Sequence, residues 1–169
     1  SSWVDSAVLP ATRYFYRLHA FNDSNRTVDS AEAVADTPGS AIWTGPEAGL
    51  WSAASHWQGS YPVAAGNSNL IFNLTSNRAT VNDLANLTVF SIAWPAGTGA
   101  NTISGNRFTM AGPLSVGATQ AQRIESPLGL SGAQVVDVAT NGILTLSGDI
   151  QDGSSPGAIT KTGGGTLVL

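Results

Sequence analysis

Chemistry in this chain would have to come from carboxylates and two histidines. The 169-residue sequence has no cysteine, and so no thiol nucleophile and no Cys-based metal site. The acids are scattered, among them Asp23, Asp29, Glu32, Asp36, Glu47, Asp83, Glu125, Asp137, Asp149 and Asp152. Cleavage of a glycosidic bond needs carboxylates paired within a few ångströms. In a chain wound into stacked coils, Asp137, Asp149 and Asp152 are the acids able to line one face, with Lys161 as their basic partner. The run "SGDIQDG" has the flavour of a calcium loop but lacks the Asp-x-Asp-x-Asp spacing and the terminal Glu. His19 sits near Arg17 on an exposed strand face, and His56 sits between tryptophans. They are 56 − 19 = 37 positions apart, a poor spacing for a metal pair. No Gly-x-Ser-x-Gly elbow occurs, and "TGGGT" is followed by neither Gly-Lys-Ser/Thr nor a helix, so it is no phosphate loop. The residues predict no catalytic centre, no metal and no cofactor, and the chain reads as non-enzymatic.

Binding is the other kind of chemistry. Trp43, Trp51, Trp57 and Tyr61 fall within "WTGPEAGLWSAASHWQGSYP". They suit either an aromatic platform for sugar or a plug that seals the open end of a repetitive fold. Asn22, Asn25, Asn73 and Asn86 each satisfy Asn-x-Ser/Thr and read as chance matches. The final residues Thr166, Leu167, Val168 and Leu169 form an apolar strand whose edge has no obvious cover. An uncovered edge is a template for strand addition, so these four residues are the candidate assembly edge.

The elements that must position these residues are strands. Charged residues are 11% of the chain and apolar residues 42%. The polar remainder is Gly, Ser, Thr, Asn and Gln, which disfavours helix and suits strands joined by turns. A net charge of −4 without a Lys/Arg cluster argues against nucleic acid and anionic membrane as partners. No apolar run approaches the ~18 residues of a membrane span. The opening "SSWVDS" shows no basic stretch or long apolar stretch of a signal peptide.

Residues 1–38 hold "ATRYFYRLHAFN", which alternates with Tyr14, Tyr16, Leu18 and Ala20 on one face and Phe15, Arg17, His19 and Phe21 on the other. A shorter strand follows over Ala31–Ala35. The segment "LPATRYFYRLHAFNDS…DSAEAVADTP" resembles the last third of a fibronectin type III domain. The resemblance covers about three strands and places its tyrosine-corner position at Tyr14. The expectation is an incomplete β-sandwich over 1–38.

Residues 39–62 read as a Trp-rich linker or cap, and 63–169 as a succession of short strands. These are "NLIFN", "ATVND", "LTVFSIAW", "NTISGNRFTM", "GPLSVG", "QRIES", "QVVDVA", "GILTLSGDI" and "AITKTGGGTLVL". Strand runs every ~8–12 residues predict an all-β fold. A sandwich, a barrel and a solenoid all fit that spacing. Irregular Asn-rich turns and the likeness of "GILTLSGDI" to "GGTLVL" favour a solenoid. Most of 41–169 also resembles the passenger β-helices of autotransporter-type bacterial surface proteins. Their repeat is matched by Gly157, Ile159 to Gly163 and Gly165 to Leu169. That family usually has Asn-Trp after its second tryptophan, where this chain has His56-Trp57.

The resemblance implies a right-handed parallel β-helix and a non-enzymatic, extracellular structural or adhesive module at a bacterial surface. Leu144 and Leu146 should stack on Leu167 and Leu169. The expected partner is a second copy, joined head to tail into a filament, or the rest of a longer chain. The alternative is a β-helix that binds or cleaves carbohydrate through the tryptophans or the acidic loop, with glycans as partners.

Overall fold

The computed structural model describes residues 4, 5, 8, 9, 12–21, 27–37, 39–62 and 68–169. The fold is all-β, 56% strand, with no α-helix among the described residues and a β-solenoid of about five turns. Asn22, Asn25 and Asp23 lie outside the described residues.

Before the solenoid, β1 (Arg13–Tyr16) pairs antiparallel with β4 (Ala33–Asp36), and β2 (His19–Phe21) with β3 (Thr27–Asp29). The single strand expected across this stretch is broken at Arg17 and Leu18. There Ser30 takes over the pairing: its N–H donates to Leu18 O at 3.0 Å, and its Oγ accepts from Leu18 N at 3.0 Å. Tyr14 and Tyr16 share the half-buried face and stack at 6.2 Å, while Phe15 faces out. Two strands bury little by themselves, and Phe15 and its register partner Val34 remain 60% and 54% exposed.

The solenoid starts at β5 (Gly39–Trp43) and β6 (Gly49–Leu50), inside the stretch read as a linker or cap. β7 (Trp57–Gly59) turns back antiparallel against β5, while the other solenoid pairings among the described residues are parallel. The strands that follow are β8 (Ser68–Ile71), β9 (Arg78–Asn82), β10 (Leu87–Trp94), β11 (Asn101–Gly105), β12 (Phe108–Met110), β13 (Leu114–Val116), β14 (Ala121–Ile124), β15 (Leu128–Val138), β16 (Ile143–Leu146), β17 (Ile150–Thr162) and β18 (Thr166–Val168). One wholly parallel wall runs β6, β9, β11, β14, β16, β18. The other sheet runs β5, β8, β10, β13, β15, β17, also parallel. The long strands β10 and β15 serve two walls, because β12 pairs with their first residues and β13 with their last.

Parallel stacking puts like positions above one another, and the interior is built from the resulting columns. Ala41, Leu70, Ile92, Leu114 and Val136 form one, each no more than 1% exposed. Leu87, Phe108 and Leu128 form a second, and Val89, Met110 and Leu130 a third. On the opposite wall Thr80, Ile103, Ile124 and Leu146 are in register, as are Asn101, Gln122, Leu144 and Leu167. Gln122 and Asn82 are held by backbone groups at the corners, while the buried Asn101 Oδ1 has no hydrogen-bond partner among the described residues. Gln122 accepts from Asn101 N at 3.0 Å and donates to Gly99 O and Gln120 O at 3.1 and 2.8 Å. Asn82 donates to Asn106 O and accepts from Leu84 N.

The expected ladder of Leu144 under Leu167 is present and parallel. Leu169 departs from expectation: β18 ends at Val168, and Leu169 is 75% exposed. The "TGGGT" corner works as the sequence suggests. Gly163 has φ +72°, and a Cβ there would collide with the Val138 carbonyl. Gly163→Ala is therefore expected to cost about 1–3 kcal/mol. Gly97 also has positive φ but open space around it, so Gly97→Ala should cost only the left-handed backbone term of about 1–2 kcal/mol. The difference in urea midpoint between the two variants measures the contact with the rung beneath.

Candidate functional site

Two ends of the solenoid carry the residues singled out above. At the first turn, Trp43, Trp51 and Trp57 are 0%, 0% and 7% exposed. Their rings meet edge to face: Trp43 on Trp57 at 4.9 Å and 77°, Trp51 on Trp57 at 5.8 Å and 81°. Trp51 also meets Phe72 and Phe108, tying the cluster to the columns. Its Nε1 donates to Thr80 Oγ1 at 3.2 Å, and Trp57 Nε1 donates to Trp51 O at 3.0 Å. Gly45 and Gly49 cross the Trp43 ring so closely that a Cβ on either would stand 2.5 or 2.9 Å from it. Rings held this way leave no open face for a sugar to stack on. Tyr61 lies half-buried at the rim and donates to Ser52 O at 2.9 Å. His56 packs edge-on to Trp43 at 5.5 Å, with Nδ1 donating to Leu50 O at 3.0 Å. Burial draws the Asp83 carboxyl pKa upward, but hydrogen bonds from Ser52, including its N–H at 2.8 Å, outweigh it and leave the group below the usual carboxylate value.

At the other end, β17 pairs only with β15 and β18 only with β16 among the described residues. Ile150, Ile159 and Leu167 are half-buried there, packed on the core from one side. Thr166 and Val168 are exposed. The sequence gives the impression of a bare apolar edge, and the structure modifies it. Lys161 takes the position above Val136, and Asp152 the position above Leu130, so two apolar columns end in charge. The Lys161 ammonium donates to Thr162 O and Gly163 O at 3.1 and 2.8 Å, and Asp152 accepts from Gly157 N at 2.8 Å. Charge at inward positions is how natural sheet edges resist pairing. The wall made by β18 carries no such charge.

The acids do not assemble. Asp137 accepts from Thr162 Oγ1 at 2.8 Å on the β13–β15 wall, whereas Asp152 continues the β12 wall. Among the described residues no three His, Asp or Glu side chains group as metal ligands would. His19 instead contacts Asp29 at 2.6 Å on the exposed β2–β3 pair. No helix among the described residues is long and apolar enough to cross a membrane.

Sequence reasoning overlooked Arg107. It precedes β12 and spans two rungs: Nη1 donates to Gln151 Oε1 at 2.7 Å and Nη2 to Leu128 O at 3.4 Å. Beside it opens a cavity of about 460 Å³ whose lining includes Asn86, Asn106 and Thr109. The signal was a basic residue directly before a strand in a chain with few cations, without any cue to its distant partner.

No family model, curated protein or solved structure matches this chain.

Proposed function

We propose that this chain is a non-enzymatic structural or adhesive module of a bacterial surface or secreted protein, akin to autotransporter passenger β-helices, joined to its neighbour by strand addition along β18. The observation that carries the reading is the last rung: "ITKTGGGTLVL" forms the end of β17, a Gly163 corner and β18, laid in parallel register on the rung below. Crossovers between parallel strands are right-handed in nearly all proteins, so the coils are read as right-handed. The fibronectin-like reading of the first segment draws support from Leu9 N donating to Tyr14 Oη at 2.7 Å, the bond that a tyrosine corner makes.

β5 already has β7 on its outer side. A head-to-tail joint therefore brings β18 of one copy against the short β6 wall of the next, where Leu50 is 46% exposed. A contact of this heterologous kind that does not close gives a filament. Sedimentation velocity across the micromolar range is the test. The expected result is concentration-dependent growth of a polypeptide that still runs at 17.3 kDa when denatured, abolished by Leu167→Lys. A chain that stays monomeric throughout removes the assembly. A much longer polypeptide recovered from the native source puts the joint within one chain.

A further inference from the structure

The outer surface of the β12 wall carries features that stacking alone does not require. Its outward column is Thr88, Thr109, Gly129 and Gln151, in register from β10 to β17. Gly129 interrupts it, and the Arg107 side chain lies across the gap. A Cβ on Gly129 would stand 2.9 Å from Thr109 Oγ1 and 3.6 Å from Arg107 Nε. The guanidinium is held by an amide oxygen and a backbone carbonyl, both neutral. Arg123 pairs with Glu125 and Arg17 with Glu32, but no carboxylate pairs with Arg107 among the described residues.

Tethered by neutral acceptors, the guanidinium has further N–H donors for something else. A guanidinium fork matches a carboxylate bidentately. Arg107 lines the cavity together with the apolar Ala85, Leu87 and Phe108 and with Asn86, Asn106 and Thr109, whose side chains exchange hydrogen bonds with hydroxyls. One cation among several neutral polar groups suits a ligand with many hydroxyls and a single carboxylate per unit. We infer that this wall binds an acidic polysaccharide, with a uronate carboxylate on Arg107 and sugar hydroxyls on Asn86, Asn106 and Thr109. The site is separate from the tryptophan cluster and from β18, so it stands or falls independently of the assembly.

Isothermal titration of the full chain with tri-galacturonate at low ionic strength tests this, with the fully methyl-esterified trimer and sodium sulfate as comparisons. The trimer should bind, and Arg107→Gln should weaken it at least about tenfold, the loss of a charge-assisted contact. Esterification should cost as much. Thr109→Val should weaken binding by a smaller factor, and both variants should remain folded, Arg107→Gln with a small drop in melting temperature from its lost bonds to Gln151 and Leu128. No binding by the trimer, equal binding by Arg107→Gln, or equal binding of the ester overturns the site. Displacement of the trimer by sulfate at equal concentration overturns the sugar and leaves a bare anion site.

Discussion

Replacing Trp51 by alanine is expected to unfold the solenoid from its first turn. The ring is fully buried against Trp57, Phe72 and Phe108, and its Nε1 holds Thr80 Oγ1. Truncation of a buried aromatic leaves a cavity that costs about 3–5 kcal/mol. In a stacked fold each turn is stabilised by its neighbours, so damage at one end propagates as fraying before it becomes global unfolding. Hydrogen exchange should show β5, β8 and β9 losing protection first, while β14 and β16 keep theirs. Uniform loss along the chain would mean that the turns are not separable units, and no loss would mean that the tryptophans are not the plug.

Leu144→Asp is expected to have the larger effect. Leu144 is fully buried between Gln122 below and Leu167 above. The Gln122 amide is already committed to Asn101 N, Gly99 O and Gln120 O, so the new carboxylate would find no donor there. An unpaired charge in such a place costs upwards of about 4 kcal/mol. Leu144→Ala, which removes only packing, should cost about 2–5 kcal/mol. Urea unfolding of the pair separates the charge penalty from the cavity. If Asp is no worse than Ala at neutral pH, position 144 is open to water and the inward column is misassigned.

Much of the solenoid was legible because a stacked fold writes its register into the sequence. The Leu-x-Leu of 144–146 and the Leu at 167 repeat because one rung copies the next. The run "LTVFSIAW" is β10 as it stands. "NTISGNRFTM" reads as one strand yet splits into β11 and β12, because Gly105 adopts φ +102° and turns the corner between walls. The first rung was hidden among tryptophans, since β5 and β6 are short and their parallel partners lie about thirty residues ahead. Lys161 could not be placed above Val136 without the register shifts that β17 makes between Asp152 and Ala158. Arg107 stayed unnoticed for a similar reason: its partner Gln151 lies 44 residues away.

Because the chain has no cysteine, engineered pairs report neighbouring strands without background. Thr145 faces Val168 and Ile143 faces Thr166 in the parallel register of β16 and β18, with Cα separations near the ~4.8 Å strand spacing, within disulfide reach. The measurement is oxidative crosslinking of two double variants, Thr145→Cys with Val168→Cys and Ile143→Cys with Thr166→Cys. Both should form an intramolecular disulfide in the folded protein. If only one of them forms, the two strands run antiparallel, and if neither forms they are out of register or not neighbours; either result contradicts the stacked solenoid.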